Sequence, residues 1–129
     1  MKLNFSNLLF VLLITLFFYG CTTDQTSAPA SIEDYIQALV NKDENSLINF
    51  SCAAWEGEAR SEFNSFSAVS VSLEDLECQE IDQEDNYTIV SCQGKIIANY
   101  GNEVLEIDLE DQKYLSVLEG GDWRMCGYR

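Results

Sequence analysis

The run Ser67-Ala68-Val69-Ser70-Val71-Ser72-Leu73 is where the hydrophobic pattern of this chain changes period. Val69, Val71 and Leu73 recur at every second residue with small residues between them, so one face of an extended strand is apolar. Upstream, Ile32, Tyr35, Ile36, Leu39 and Val40 fall at i, i+3, i+4, i+7 and i+8, the spacing of an amphipathic helix. Ser31 stands where an N-cap would, able to accept from the free N–H groups of the first turn, with Glu33 and Asp34 near the positive dipole end. Asn41-Lys42-Asp43 interrupts the pattern; Leu47, Ile48, Phe50 and Cys52 then suggest a shorter second helix. Trp55, Ala59, Phe63 and Phe66 suggest a third, weakened by Gly57.

Downstream of Leu73 the inward side resumes at Leu76, Cys78 and Ile81 after a slip of one residue, which implies a bulge near Glu74-Asp75. A polar turn at Asp82 to Asn86 precedes a second strand from Tyr87 to about Tyr100. Gly101-Asn102 turns into Glu103 to Glu110, where Leu105, Ile107 and Leu109 alternate with acids. Gly120-Gly121 makes a further hairpin between Tyr114–Leu118 and Trp123–Tyr128. Helices followed by antiparallel strands predict an α+β fold, two to three N-terminal helices packed on a curved antiparallel sheet of four to five strands. A single domain over residues 32–129 is expected.

Composition narrows the function. The 129 residues carry 7 Lys+Arg against 22 Asp+Glu, a formal charge of -15, and no histidine. Scattered bases among so many acids would repel a phosphate backbone, so nucleic acid is excluded as a partner. Histidine chemistry is excluded with it. The apolar fraction of 47% is too high for a disordered acidic tail.

The N-terminus carries an address. Met1-Lys2 begins positively, Leu8 to Tyr19 is apolar apart from Thr15, and Gly20-Cys21 closes the run. Phe17-Phe18-Tyr19-Gly20-Cys21 resembles the lipobox of bacterial lipoproteins, which implies a signal peptide at residues 1–20 and acylation of Cys21. An uncleaved anchor is the alternative, since no charge appears from Leu3 through Thr23. Residues 21–31, small and polar with the chain's one proline, Pro29, read as a flexible tether. The implied location is the extracytoplasmic face of a cell or outer membrane.

Reserving Cys21 leaves Cys52, Cys78, Cys92 and Cys126, an even set expected to form two disulfides after export. A turn at about Gln83 to Asn86 brings Cys78 opposite Val90 to Cys92, so Cys78 pairs with Cys92 and Cys52 with Cys126. No C-x-x-C is present, so neither zinc nor a thioredoxin-like site is expected.

The element order and the ending Gly-Gly-Asp-Trp-Arg-Met-Cys-Gly-Tyr, Gly120 to Tyr128, resemble the nuclear transport factor 2-like, or cystatin-like, cone fold. More narrowly, they resemble uncharacterised bacterial lipoproteins whose last hairpin reads Gly-Gly-x-Trp-x-x-Cys. Members often carry a strand hairpin between the second and third helices. Ser51 to Trp55 leaves no room for it, so a reduced cone with a smaller pocket is implied.

Other constellations have plainer readings. Glu106, Asp108 and Glu110 form a solvated strand face sooner than a Ca²⁺ ladder. Asp82, Glu84 and Asn86 begin like a calcium loop, but Tyr87 stands where glycine is required. No metal or cofactor is expected, and nucleophile and phosphate-loop signatures are absent. Tyr35 and Trp123 are the pocket candidates, with plain core packing the favoured reading of each. The function expected is a membrane-tethered, non-catalytic domain that binds a protein, peptide or small apolar ligand. Two alternatives remain: a ketosteroid-isomerase-like enzyme and a structural envelope-surface protein. A pocket burying a tyrosine beside a carboxylate would favour the enzyme, and a filled apolar interior the structural role.

Overall fold

The computed structural model describes residues 26–129, so the expected signal segment and Cys21 lie outside the described residues. Three helices lead a five-stranded antiparallel sheet, the α+β arrangement the periodicity predicts.

The first helix, α1 (Ala28–Val40), starts four residues earlier than its apolar spacing suggests. Ser27 is the N-cap, its Oγ accepting from Ala30 N at 3.3 Å. Pro29 falls in the first turn, where the missing N–H is no loss and the fixed φ suits the helix. Two expectations are therefore corrected: Ser31 is not the cap, and residues 28–31 are helix and not tether. Ser31 is buried, its Oγ donating to Ala28 O at 2.7 Å and lying 2.9 Å from Ser116 Oγ.

Asp43 caps α2 (Glu44–Asn49), accepting from Ser46 N at 3.1 Å and Ser46 Oγ at 2.6 Å. Cys52, expected within this helix, lies beyond it in an extended segment. There Cys52 N donates to Met125 O at 2.8 Å and Met125 N to Phe50 O at 2.7 Å. The backbone thus leaves the helix to cover a strand edge that would otherwise expose its polar groups. The third helix, α3 (Glu56–Phe66), buries Ala59 and packs Phe63 and Phe66 against the core.

The strands are β1 (Ser70–Glu84), β2 (Tyr87–Asn99), β3 (Val104–Asp108), β4 (Lys113–Glu119) and β5 (Asp122–Tyr128). Their order is β1-β2-β4-β5, with β3 also paired to β2. One edge of β2 takes β1 along its length; the other takes β4 at Tyr87–Ser91 and β3 at Lys95–Asn99. The expected strand Glu103 to Glu110 is shorter because Leu109–Asp111 forms a 3₁₀ turn that buries Leu109.

The expected bulge is present as a register shift between Glu74 and Glu77, with Asp75 at φ 52°. Gly94 of β2 lies against it at φ +99°, and a Cβ there would stand 2.3 Å from Glu74 O. Only glycine allows that approach. Bulge, Gly94 and the 3₁₀ turn follow one another across the sheet, a natural site for its curvature. A second shift between Glu80 and Asp82 leaves Ile81 without a partner and 48% exposed, correcting its inward assignment. Leu105 likewise is exposed, at the outer end of β3 and apart from the core.

Two disulfides close the fold. Cys78 and Cys92 are direct register partners, and Cys52–Cys126 ties the segment after α2 to β5. Such bonds persist in oxidising, extracytoplasmic surroundings. Among the described residues, no helix is long and apolar enough to cross a membrane.

Candidate functional site

A half-open cavity of about 220 Å³ lies between α1 and α3 on one side and the sheet on the other. Its apolar wall is Ile36, Leu39, Phe66, Ile96, Ile107 and Leu109. Four polar residues complete the lining: Glu62, Gln112, Tyr114 and Tyr128. The first comes from α3, the last two from β4 and β5, and Gln112 follows the 3₁₀ turn.

Glu62 is the chemical centre of this wall. It follows Ala59 by three residues on the inward stripe of α3, which carries its carboxyl toward the sheet. The Tyr35 hydroxyl donates to Glu62 Oε2 at 2.6 Å and accepts from Trp55 Nε1 at 3.2 Å. Burial raises the Glu62 pKa, and the Tyr35 and Tyr128 hydroxyls pull it back by favouring the charged form. Tyr35 and Tyr128 are themselves held far above the ordinary phenol range, by burial first and then by the Glu62 charge. Both phenols therefore remain protonated as donors.

Three aromatic rings brace this end. The Tyr128 ring stands edge-on to Trp55 and to Tyr114, with centroids 5.4 Å apart in both pairs. Tyr114 is 1% exposed and its hydroxyl has no partner in hydrogen-bond geometry. Burial raises its pKa, and Gln112 lies close enough to temper the shift. The cluster can hold a ligand by apolar contact and present one carboxylate to it.

The two candidates from sequence are separated by the fold. Tyr35 is fully buried and stands behind Glu62, outside the cavity lining. Trp123 is half-buried and lines a different hollow of about 290 Å³ with Phe50, Arg124 and Ser31. Sequence reasoning did not nominate Glu62, Gln112, Tyr114 or Tyr128 for the pocket. One signal was available: Glu62 is an acid in the stripe Ala59, Phe63, Phe66. Among acids on a helix, one flanked by inward aromatics is the one that must be buried or paired.

The carboxylates read as solvated remain so. Glu106 pairs with Lys95 at 3.1 Å on the surface, and Glu110 lies in the 3₁₀ turn, out of line with Glu106 and Asp108.

No family model matches the chain, and no curated protein matches it. Among solved structures it is similar to the helical cell shape determining protein Pgp2 from Campylobacter jejuni, at a TM-score of 0.50 and 14% identity. The likeness covers 78% of this chain and 38% of that one, so this chain spans well under half of its neighbour, and what they share is the fold.

Proposed function

We propose that this chain is a membrane-tethered, extracytoplasmic domain that binds a small, largely apolar ligand without chemically changing it. The observation that carries the reading is the 220 Å³ cavity with its apolar wall and single carboxylate. An apolar cavity of about 150 Å³ is large enough for benzene, so this one has room for a ring with a substituent. The element order and the Gly120 to Tyr128 ending support a reduced cone of the nuclear transport factor 2-like kind, with the cavity as its pocket.

Tethering rests on Gly20-Cys21 and the apolar run before it. With α1 beginning at Ala28, the tether is Thr22 to Ser27, at most about 20 Å when fully extended. The excess of acids keeps the domain soluble and repels anionic lipid. Cys21→Ala should move the protein out of the detergent phase on partitioning. Unchanged partitioning would revive the uncleaved anchor. For the ligand, the test is mass spectrometry of the full chain purified from its native envelope. A retained molecule that Ile107→Phe expels supports the reading, and an empty cavity counts against it.

One observation bears on the catalytic alternative, the Tyr35–Glu62 pair. An isomerase-type site needs a carboxylate base facing substrate and a phenol free for the developing oxyanion. Here Tyr35 donates to the carboxylate itself, which leaves that hydroxyl no hydrogen for a substrate oxygen. Binding is preferred because the pair leaves Tyr35 no free hydrogen, and the catalytic alternative then rests on Tyr114, the buried phenol of the lining whose hydroxyl has no partner. A Glu62 carboxyl that titrates near neutrality and responds to an added hydrophobic ligand would reverse that preference. The open, partly polar cavity counts against a purely structural role.

A further inference from the structure

We propose that the ligand of this cavity is a small monocationic amine, a ring-sized apolar body whose single ammonium group pairs with Glu62. This rests on the cavity being the binding site and adds the charge of what it binds. Glu62 is the one charged residue in the lining, and none of the four ion pairs among the described residues includes it. Its hydrogen-bonding neighbours, Tyr35 and Tyr128, are neutral. Phenol hydrogens satisfy lone pairs but leave the net charge in place, and a charge in an apolar wall is stabilised most by an opposite charge. An anion would add repulsion where screening is weakest; a neutral molecule would leave the carboxylate uncompensated.

Three further features fit a cation. Phe66, Tyr114 and Tyr128 give the lining an aromatic character that suits an ammonium. An ammonium has three donors, and the oxygens of Gln112 and of Tyr114, whose hydroxyl lacks a partner, lie in the same wall as acceptors. The formal charge of -15 concentrates cations around the whole domain and thereby at the cavity mouth.

The test uses the full chain in detergent micelles, with ¹⁹F NMR titration of three probes of one shape: 4-fluorobenzylamine, 4-fluorobenzyl alcohol and 4-fluorobenzoate. The expected order is amine, then alcohol, then benzoate. Glu62→Gln should weaken the amine by at least about tenfold, the scale of a lost charge-assisted hydrogen bond, and change the alcohol by less than about threefold. Ile107→Phe should weaken both. If amine and alcohol bind the wild type equally, the cation is wrong and the cavity stands. If the amine binds wild type and Glu62→Gln alike, it is pairing with surface acids and the proposal is overturned. If no probe responds to Ile107→Phe, the cavity reading falls with it. The ranking on unaltered protein needs no variant to fold.

Discussion

The strands β1 and β2 belong to one hairpin yet live in different surroundings. β1 carries six acids (Glu74, Asp75, Glu77, Glu80, Asp82 and Glu84), and none of its residues is fully buried. β2 carries no acid and buries Thr88, Ile89, Val90, Cys92, Ile96 and Ala98. The cause is position in the sheet: β2 is flanked on both edges, whereas β1 is an edge strand. An open edge is protected from wrong pairing by charge and bulges, and β1 has both. The hairpin shows that edge and centre are distinguished by charge more than by apolar content, since β1 also contains Val71, Leu73, Leu76 and Ile81.

The largest effect should come from the disulfides, of which Cys78–Cys92 ties β1 directly to β2. Cys52–Cys126 separates its cysteines by 74 residues and Cys78–Cys92 by 14. On chain entropy, replacing the first pair with alanines should cost about 4 kcal/mol and the second about 3 kcal/mol in urea unfolding. A second pair that costs nothing would mean that the edge strand is held by its ladder alone.

Next comes a direct contrast of isoleucines in the same hairpin. Ile89 is 3% exposed and Ile81 is 48% exposed. Ile89→Ala should destabilise by about 3 kcal/mol, and Ile81→Ala by less than about 0.5 kcal/mol. Equal losses would overturn the edge-and-centre account. Gly94→Ala tests where the two strands are locked: with Glu74 O in the way and φ positive, it should cost about 2 kcal/mol and accelerate amide exchange around Glu74 to Glu77. Exchange unchanged there would show that the bulge can be rebuilt without strain.

The smallest effect concerns pH. Burial holds the folded Glu62 carboxyl above its ordinary value of 4.5, so the folded state binds that proton more tightly than the unfolded chain. Stability from this group is therefore complete below about 4.5 and lost as pH rises through the folded value. Glu62→Gln should match the wild type's pH dependence at the acid end and gain on it toward neutral pH, read from urea midpoints. A gain in the opposite direction would mean that the Tyr35 and Tyr128 hydrogens outweigh burial.

Much of the architecture was legible. The change of period at Ser67, the bulge near Glu74-Asp75 and the Gly120-Gly121 hairpin are local patterns, and the structure has all three. Boundaries were less legible. Pro29 suits a tether and the first turn of a helix equally well, and only the burial of Ala28 and Ser31 against the sheet separates the two. Ile81 and Leu105 carry inward spacing, but a second bulge leaves Ile81 unpaired and Leu105 stands at an uncovered strand end, so both are exposed. The site was the least legible part, because Glu62, Tyr114 and Tyr128 are far apart in sequence and each has an ordinary local reading.

By itself the sequence determined the class of fold, because hydrophobic period is a property of neighbouring residues and needs no knowledge of what lies across the core. It determined the acidic charge and the absence of histidine in the same direct way. Tertiary structure alone decided which of 22 acids faces a cavity and which phenols meet it. Those contacts join α1, α3, β4 and β5 at separations from 27 residues, for Tyr35 and Glu62, to more than 60, for Glu62 and Tyr128. Burial and hydrogen bonding of a polar group depend on the whole packed neighbourhood, and no local pattern in the chain encodes it.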